Sequence, residues 1–498
     1  MLPKLTRERR LCAGTSAALS LCGIALKELI EKVKKSKSEF QNVELKKCKG
    51  GVTEKLFDTL SSFSNQDDGG VIIFGIDESS NYEITGIDDV QLLQKKVMEQ
   101  CQQMEPPVRA VFTVTETDGK NIVAAEIPPV DITERPCFYK GKGRIKGSYV
   151  RVGDADIPMN EYEVYSYEAY RKKYQDEIRE VEQAEMSSLD ENKLAEYLLR
   201  LKLNKPNLSR LDDKKIMELM SIEKNGHPTL AAELLLGSYP QAYFMQLGII
   251  AVSVPGTEIG ETDIDGSRFI DNQRIEGTIP EMLDTALAFV RKNTRTKTII
   301  DPETGKRRDR SDYPQNAVRE AILNALVHRD YSIHTEGIPI YLKIFSDRFE
   351  ISSPGGLYGR LTLNTLGHIQ PDTRNPVIAN VLEVLGVAEN RYSGIPTIRR
   401  ELASACMPEP EFSDQHGEFT VIFRLTDESR GIEDPDSSEA KIIKFCKTPR
   451  TRKELAEFLG LSSASYAIKT YIQPFIDKGE IKLQIPDRPA SPNQKYYS

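Results

Sequence analysis

The sequence predicts a multidomain α+β protein, and three observations carry that expectation. Between Val43 and Ile127, short apolar runs of strand type alternate with a run of helical period. A second alternation, a helix over Asn316–His328 followed by strand-like Ile338–Phe345, Phe349–Ser352 and Phe419–Leu425, lies beyond a long charged middle. A third segment, small and basic, follows the acidic, Ser/Pro-containing stretch Gly431–Ser438, which reads as a linker. At 498 residues the chain has the length of about two to four domains.

Composition narrows the function. The chain carries 67 basic and 75 acidic residues, a net charge of −8, with 29% charged and 39% hydrophobic residues and no Trp. That balance excludes a protein that coats nucleic acid by bulk charge, but leaves room for a local basic module. The seven Cys, at 12, 22, 48, 101, 137, 406 and 446, show no CxxC spacing, and the five His are scattered. This argues against a zinc ribbon or a disulfide framework and for a reduced, cytoplasmic setting.

Taken in order, residues 1–30 read as a loosely ordered extension or a misassigned start, with ordered structure expected from near Ile24. Lys4, Arg7, Arg9 and Arg10 precede an apolar stretch, Leu11–Leu26, in the manner of a secretory signal. That stretch contains Gly, Thr and Ser, is short for a membrane span, and lacks an A-x-A-like site before the charged helix Lys27–Lys37. No other apolar run reaches eighteen residues, so no membrane span is expected.

Residues 31–165 are expected to form a first α+β domain. Val43–Lys46 reads as a strand, and Thr53–Ser64 as a helix through Leu56, Phe57, Leu60 and Phe63. Asp67–Gly70 reads as a tight turn, Val71–Ile76 as a buried strand, and Val108–Val114 with Asn121–Ile127 as a further pair. Residues 166–315 form a connecting segment, with a charged helix from about Tyr162 to Leu201, a strand at Gly248–Val254 and a polar surface loop at Asp301–Asp312. Residues 316–430 make a second α/β unit, and 437–498 a terminal module.

The first chemistry-bearing set is Glu39, Glu44, Asp77 and Glu78. A spacing of five does not place Glu39 and Glu44 on one face of a strand or a helix, so they converge only if Glu39 sits in a turn before the strand. Converged carboxylates would suit Mg²⁺ or Mn²⁺ and phosphodiester cleavage; dispersed ones are solvated surface. The segments Ser38-Glu-Phe-Gln-Asn-Val-Glu-Leu-Lys46, Leu60-Ser-Ser-Phe-Ser-Asn65 and Asp68-Gly-Gly-Val-Ile-Ile-Phe-Gly-Ile-Asp77 resemble the AlbA-like domain of the Schlafen superfamily. In nuclease members, two Glu at this spacing and an acid after the Gly-Ile strand cut RNA with a metal. The resemblance therefore implies either that role for Glu39, Glu44 and Asp77 or Glu78, or binding of nucleic acid or of a partner without cleavage.

The second set is Lys140, Lys142, Arg144 and Lys146, with Arg151 following. At every second residue, an extended chain would put the four on one face. Such a ridge either lines a phosphate backbone or guards a solvated hairpin edge.

The third set is Glu320, Asn324 and His328, four residues apart on one face of a helix whose body is Ala317, Val318, Ala321, Ile322, Ala325 and Leu326. A carboxylate that polarises water and an amide that holds Mg²⁺ at phosphates suit ATP chemistry. The pair is similar to the N-box of GHKL ATPases. The longer run Glu-Ala-Ile-Leu-Asn-Ala-Leu-Val-His-Arg-Asp-Tyr331 resembles the RecG-like C-terminal domain of ATP-binding type. That resemblance implies glycine turns at Gly355, Gly356 and Gly394 as cofactor contacts, in Phe349–Leu357 and Arg391–Pro396. The adenine-contacting Asp of the GHKL glycine box has no counterpart in Ser352–Gly356, which leaves base selectivity and hydrolysis open. Asn375–Asn380 also fits the RecG-like pattern but suggests no chemistry. There is no G-x-x-x-x-G-K-[ST] loop, hence no motor of helicase type. His227–Gly237 and Arg268–Gly277 resemble the stretch that joins the two domains in that bacterial group.

The tail reads as three helices, Ala440–Cys446, Arg452–Leu459 and Ser463–Ile476, with Thr451 and Glu454 at capping-box positions and a β-like ending. It resembles a winged helix-turn-helix and carries a net +5 from Glu439 onward, against about −13 for the rest. Its third helix would offer Lys469 to DNA; the alternative is a dimerisation or autoinhibitory module. Together these readings point to a nucleotide-responsive DNA-binding protein, by family resemblance a transcriptional regulator, expected to be a homo-oligomer using ATP and Mg²⁺ or Mn²⁺. The alternative is a metal-dependent ribonuclease active on tRNA or other RNA, in a role such as phage defence.

Overall fold

The computed structural model describes residues 23–37, 40–48, 55–262, 266–300, 307–388, 393–415, 417–425, 442, 445–458, 464, 468–477, 481–485, 491 and 494–498. Its first unit is built on a four-stranded sheet. Helix α1 (Gly23–Ser36) leads into β1 (Val43–Lys46), α2 (Phe57–Ser64), β2 (Gly70–Phe74), α3 (Val90–Cys101), β3 (Val111–Thr117) and β4 (Lys120–Ile127). The sheet order is β1-β2-β4-β3, with β1 and β2 parallel and the other pairs antiparallel. Its central strands alternate between two cores. Ile72, Phe74, Val123 and Ala125 pack under Phe57, Leu60 and Phe63 of α2 and Leu93 and Val97 of α3. Ile73, Ile122 and Ala124 pack under Leu26, Ile30 and Val33 of α1. Because both faces are covered, these strands are apolar throughout rather than alternating. Helix α1 begins at Gly23, beside the expected Ile24, so the division at residue 30 falls inside a packed helix. Its stripe at positions 26, 30 and 33 supplies one of the two cores.

The basic run does not form the extended ridge expected of it. Lys140–Lys142 turn, and Gly143–Gly147 forms the short helix α4 before the hairpin β5 (Tyr149–Val152) and β6 (Ala155–Pro158). The glycines decide this: Gly143 takes φ +72, which favours a turn over continued extension. The long charged helix expected from Tyr162 to Leu201 is two helices, α5 (Glu161–Lys172) and α6 (Glu191–Asn204). Lys173 closes α5 in the left-handed region, and Asp190 caps α6 through the backbone N–H groups of Asn192 and Lys193.

The second sheet draws strands from both sides of residue 315. The chain continues through α7 (Leu230–Leu236), β7 (Ile249–Ser253), β8 (Asp271–Ile275), α8 (Ile279–Asn293) and the hairpin β9 (Thr296–Ile300) and β10 (Arg307–Ser311). It then forms α9 (Gln315–His328), β11 (Ile340–Ile344), β12 (Arg348–Pro354), α10 (Pro376–Val384), α11 (Gly394–Ser404), β13 (Glu411–Gln415) and β14 (Glu418–Arg424). Six strands order as β8-β7-β11-β12-β14-β13, with β7 and β11 parallel and every other pair antiparallel. The segments on either side of 315 therefore share one sheet and one hydrophobic core, running from Val181 to Phe423. Part of the polar loop expected at Asp301–Asp312 is strand β10; residues 301–306 lie outside the described set.

Helix α9 is buried on Ala317, Val318, Ala321, Ile322, Leu323, Ala325, Leu326 and Val327. At about 1.5–3 kcal/mol for each large apolar side chain fully buried, this face anchors the helix and leaves one stripe for polar work.

In the tail, a three-stranded sheet joins β15 (Arg450–Thr451), β17 (Lys495–Tyr497) and β16 (Lys482–Leu483) in that order, beside α12 (Arg452–Phe458) and α13 (Gln473–Asp477). The expected capping box forms: Thr451 N donates to Glu454 Oε2 at 2.7 Å, and Glu454 N to Thr451 Oγ1 at 3.3 Å. Among the described residues, no helix is long and apolar enough to cross a membrane.

Candidate functional site

One cavity of about 180 Å³ lies against the polar stripe of α9 and collects all six residues expected there: Glu320, Asn324, His328, Gly355, Gly356 and Gly394. The i, i+4, i+8 spacing makes one wall of the helix. Strands β12 and β14 supply apolar floor through Ile351 and Val421, and the segment 355–374 closes the rim. Glu320 and Asn324 meet the first turn of α11. A Cβ on Gly394 would stand 2.9 Å from the Asn324 amide nitrogen and 3.2 Å from a Glu320 carboxylate oxygen, so only glycine leaves that corner open. Arg319 lies 3.6 Å from Glu320 through its Nη1.

His328, two turns along α9 from Glu320, is solvent-exposed on the cavity wall, with protein packed densely behind it. Desolvation, helped by the nearby Arg374 charge, pushes its pKa down to about 4, so the ring is neutral at pH 7. Arg374 is 9% exposed and lines the same end. Its Nη2 donates to Gly356 O at 3.0 Å, and its guanidinium sits 5.1 Å from the Tyr358 ring centre. Gly355 has φ +96, and a Cβ there would fall 2.0 Å from Arg374 Nη1. The glycine thus serves both the turn and the guanidinium.

The rim is tied to α5. Tyr170 Oη donates to Asp372 Oδ2 at 3.0 Å, and its ring meets Tyr358 edge-on at 5.3 Å. Tyr162 Oη donates to Asp330 Oδ2 at 2.8 Å. Asp372 also binds Arg360 at 3.0 and 3.1 Å, which holds its carboxyl below the ordinary range.

The other carboxylate set is arranged differently. Glu44 on β1 bonds Arg151 Nη2 at 2.8 Å and Lys46 Nζ at 2.6 Å. Asp77 bonds Lys47 Nζ at 2.6 Å and caps the short turn Glu78–Ser80 through Ser79 N at 3.1 Å. Those bonds hold its carboxyl far below the usual range. Glu78 is exposed, and Glu39 lies outside the described residues. Among the described residues, no group of three or more His, Cys, Asp or Glu is placed to hold a metal. Glu44 and Asp77 are each neutralised by protein cations instead.

Comparison with known proteins finds matches within both units, although the match in the second begins after α9. Residues 39–160 match the family model "Schlafen, AlbA_2", and residues 337–423 match "Putative ATP-dependent DNA helicase recG C-terminal". The chain thus carries one stretch similar to a Schlafen-type AlbA_2 domain and another similar to a RecG-type C-terminal domain. Residues 440–497 match a third model, "Filamentation induced by cAMP protein Fic-like, C-terminal domain". Among solved structures, the chain is similar to the DIP2311 protein from Corynebacterium diphtheriae, at 18% identity over 89% of this chain and 92% of that one, with a TM-score of 0.39. It is also similar to the N-terminal domain of a "Putative ATP-dependent DNA Helicase RecG-related Protein" from Nitrosomonas europaea, at 23% identity over 26% of this chain and 91% of that one, with a TM-score of 0.22. No curated protein matches.

Within the AlbA_2 domain, the basic residues expected at nucleic acid are mostly engaged by the protein's own acids. Lys140 pairs with Glu105 at 3.4 Å, Lys142 with Asp58 at 3.3 Å and Tyr149 Oη at 2.7 Å, and Arg144 with Glu168 of α5. The two lysine pairs are solvent-reachable, so each holds weakly and can exchange for phosphate. Lys146 is exposed. Arg151 is not a surface residue: its side chain is 1% exposed between Glu44 and Asp156. In the tail, Lys469 sits in the π-helical turn Ile468–Ile472, and its side chain lies outside the described residues.

Within the RecG-type domain, Arg374, Asp372 and Tyr358 join the cavity without having been expected there. The available signal was Arg374 standing directly before Asn375-Pro-Val-Ile, a motif with no chemistry of its own. Asn375 holds the end of α9 by donating to Val327 O and Arg329 O, both at 2.8 Å. That bond places Arg374 against the cavity.

Proposed function

We propose that this chain is a nucleotide-responsive, nucleic-acid-binding regulator in which a magnesium-bound nucleoside triphosphate, ATP in the first instance, occupies the α9 cavity. The supporting observation is the convergence of Glu320, Asn324, His328, Gly355, Gly356 and Gly394 on one cavity. The residues fit the ligand. Asn324 and the open corner at Gly394 would hold the metal–phosphate end, and Glu320 is placed to polarise a water there. When bound, Mg²⁺ neutralises charge on the phosphate oxygens. The apolar floor of Ile351 and Val421 takes the flat face of a base.

The contacts of α5 support the responsive part of this reading. This helix follows directly on the AlbA_2 domain, and Tyr170 grips the cavity rim at Asp372. A ligand that reorders the rim biases where α5 and the AlbA_2 domain sit. DNA would be met by the AlbA_2 domain, through Lys140, Lys142 and Lys146, and by the +5 tail, read as a winged helix. The pairing of Glu44 and Asp77 with protein cations favours binding over cleavage.

Titration calorimetry with ATP and Mg²⁺ tests the nucleotide claim. Asn324→Ala is expected to weaken binding by about tenfold or more. Neither heat nor a thermal shift from the native protein would sink the claim. For the nucleic acid, duplex DNA affinity should fall steeply with salt while tRNA stays intact with Mn²⁺. Cleavage that is lost in Glu44→Ala would replace this reading with the ribonuclease.

A further inference from the structure

The ribbon β9–β10 carries charge of the opposite sign to the chain as a whole. Its five cross-strand pairs hold Lys297, Arg307, Arg308 and Arg310 against a single acid, Asp309, in a chain of net −8. Among the described strands the two pair with each other alone, in a sheet separate from the six-stranded one. The ribbon leaves the end of α8 and returns to the start of α9. Its base is latched: Arg295 N donates to Asp312 Oδ2 at 2.9 Å, and Asp312 N donates to Arg295 O at 3.0 Å. Two helices with buried apolar faces therefore hold the ribbon by its ends.

Register decides where the charges fall. Residues directly opposite in an antiparallel pair share a face, and successive residues alternate between faces. Lys297 stands opposite Arg310, and Ile299 opposite Arg308. One face thus takes Lys297, Arg308 and Arg310 with no acid among the paired positions. The other takes Thr296 with Ser311, Thr298 with Asp309 and Ile300 with Arg307, so its one cation is balanced. Like charges directly opposite destabilise a strand pair, and a lone two-stranded ribbon is only marginally stable in water. Resistance to edge pairing asks only for charge somewhere on the strands. Three cations gathered on one face, two of them in direct opposition, fit a surface that meets a polyanion.

We propose that this face of the β9–β10 ribbon is a contact for duplex DNA, the ribbon entering the major groove while Lys297, Arg308 and Arg310 neutralise phosphates along its walls. The proposal rests on the reading that the chain binds DNA, and it adds a surface to the AlbA_2 domain and the tail. A two-stranded ribbon fits the roughly 12 Å major groove of B-form DNA, whereas the major groove of duplex RNA is too deep and narrow for it. Arg308 and Arg310 are two strand residues apart, about 6.8 Å, which is the rise of two phosphates along one DNA strand.

Fluorescence anisotropy on the full chain tests this, with a labelled DNA duplex and an RNA duplex of the same sequence, from about 50 to about 200 mM salt. Each phosphate contact adds about 0.9 to the slope of log affinity against log salt. The triple variant Lys297→Gln, Arg308→Gln, Arg310→Gln should therefore flatten the DNA slope by about 2 to 3 and weaken DNA by about tenfold or more. Lys205→Gln, Lys214→Gln, Lys224→Gln removes the same charge from exposed positions of the connecting segment and should stay within about twofold of native. Lys297→Glu serves where the triple variant does not fold. It turns the repelling cross-strand pair into an attracting one, so the melting temperature should hold or rise while DNA affinity falls by about tenfold. A purely structural lysine would lose stability and affinity together. DNA binding within about twofold of native in both ribbon variants overturns the proposal. An equal loss on duplex RNA overturns it too, because the face would then be a general polyanion surface. Native protein that binds no duplex DNA overturns the DNA-binding reading and this proposal with it.

Discussion

Arg151 illustrates how a sequence-level charge can mislead. It follows a run of basic residues, yet it sits 5.2 Å from the centre of the Phe63 ring, with Glu44 and Asp156 at 2.8 and 3.0 Å. The guanidinium ties β1 to the β5–β6 hairpin. Removing one side of a buried pair strands the other, so Arg151→Ala should cost about 3–5 kcal/mol of AlbA_2 stability, read as a lower midpoint in urea unfolding. An exposed nucleic-acid contact would instead unfold like the native protein and bind DNA less well. Glu320, Asn324 and His328 were legible because a four-residue spacing is a geometric statement that holds wherever a helix forms. Arg374 was not, because its role depends on Asn375 fastening a loop to the far end of α9, a contact between positions 48 residues apart. Burial likewise decides Arg151, and nothing in its neighbours along the chain reports burial.

Among the elements, α10 begins in an unusual way. Its first backbone N–H groups are capped from 200 residues away by Glu177, which accepts from Val377 N and Ile378 N at 2.8 Å each. Burial pushes the Glu177 carboxyl up to about 7 from an ordinary value near 4.5. Between those values, the folded chain keeps a proton that the unfolded chain has released. Stability therefore falls as pH rises across that window and levels off above it. Glu177→Gln should flatten this slope, on the order of 3 kcal/mol across the window, in denaturant midpoints taken at pH 5 and pH 8. Local pattern made β1, α2, β2, α9 and β12 legible, whereas α3, α8, α10 and α11 were not anticipated. The two misread stretches share a cause. Alternation at Lys140–Lys146 was outweighed by the φ of Gly143, and the continuous polarity of residues 162–201 concealed a left-handed break at Lys173.

For the whole molecule, the link between its units is the face of α5. If the cavity rim and α5 move together, Mg²⁺ and ATP should slow backbone hydrogen exchange in Glu161–Lys172 as well as in residues 355–374. Tyr170→Phe should keep the second protection and lose most of the first. Equal protection in both proteins would mean that the contact with Asp372 transmits nothing. The six-stranded sheet also governs how this chain can be shortened. A fragment trimmed to the matched stretch 337–423 would discard β7 and β8 and leave the edge of β11 bare, an open row of peptide groups that invites another strand. A fragment from 175 to 425 keeps that edge covered and retains Glu177 over α10. The shorter piece is expected to elute as aggregate in size-exclusion chromatography and the longer as a single sharp species. Strand pairing carries the module back to β7 at Ile249, about 90 residues before the stretch that sequence similarity marks out, and the Glu177 cap on α10 carries it further.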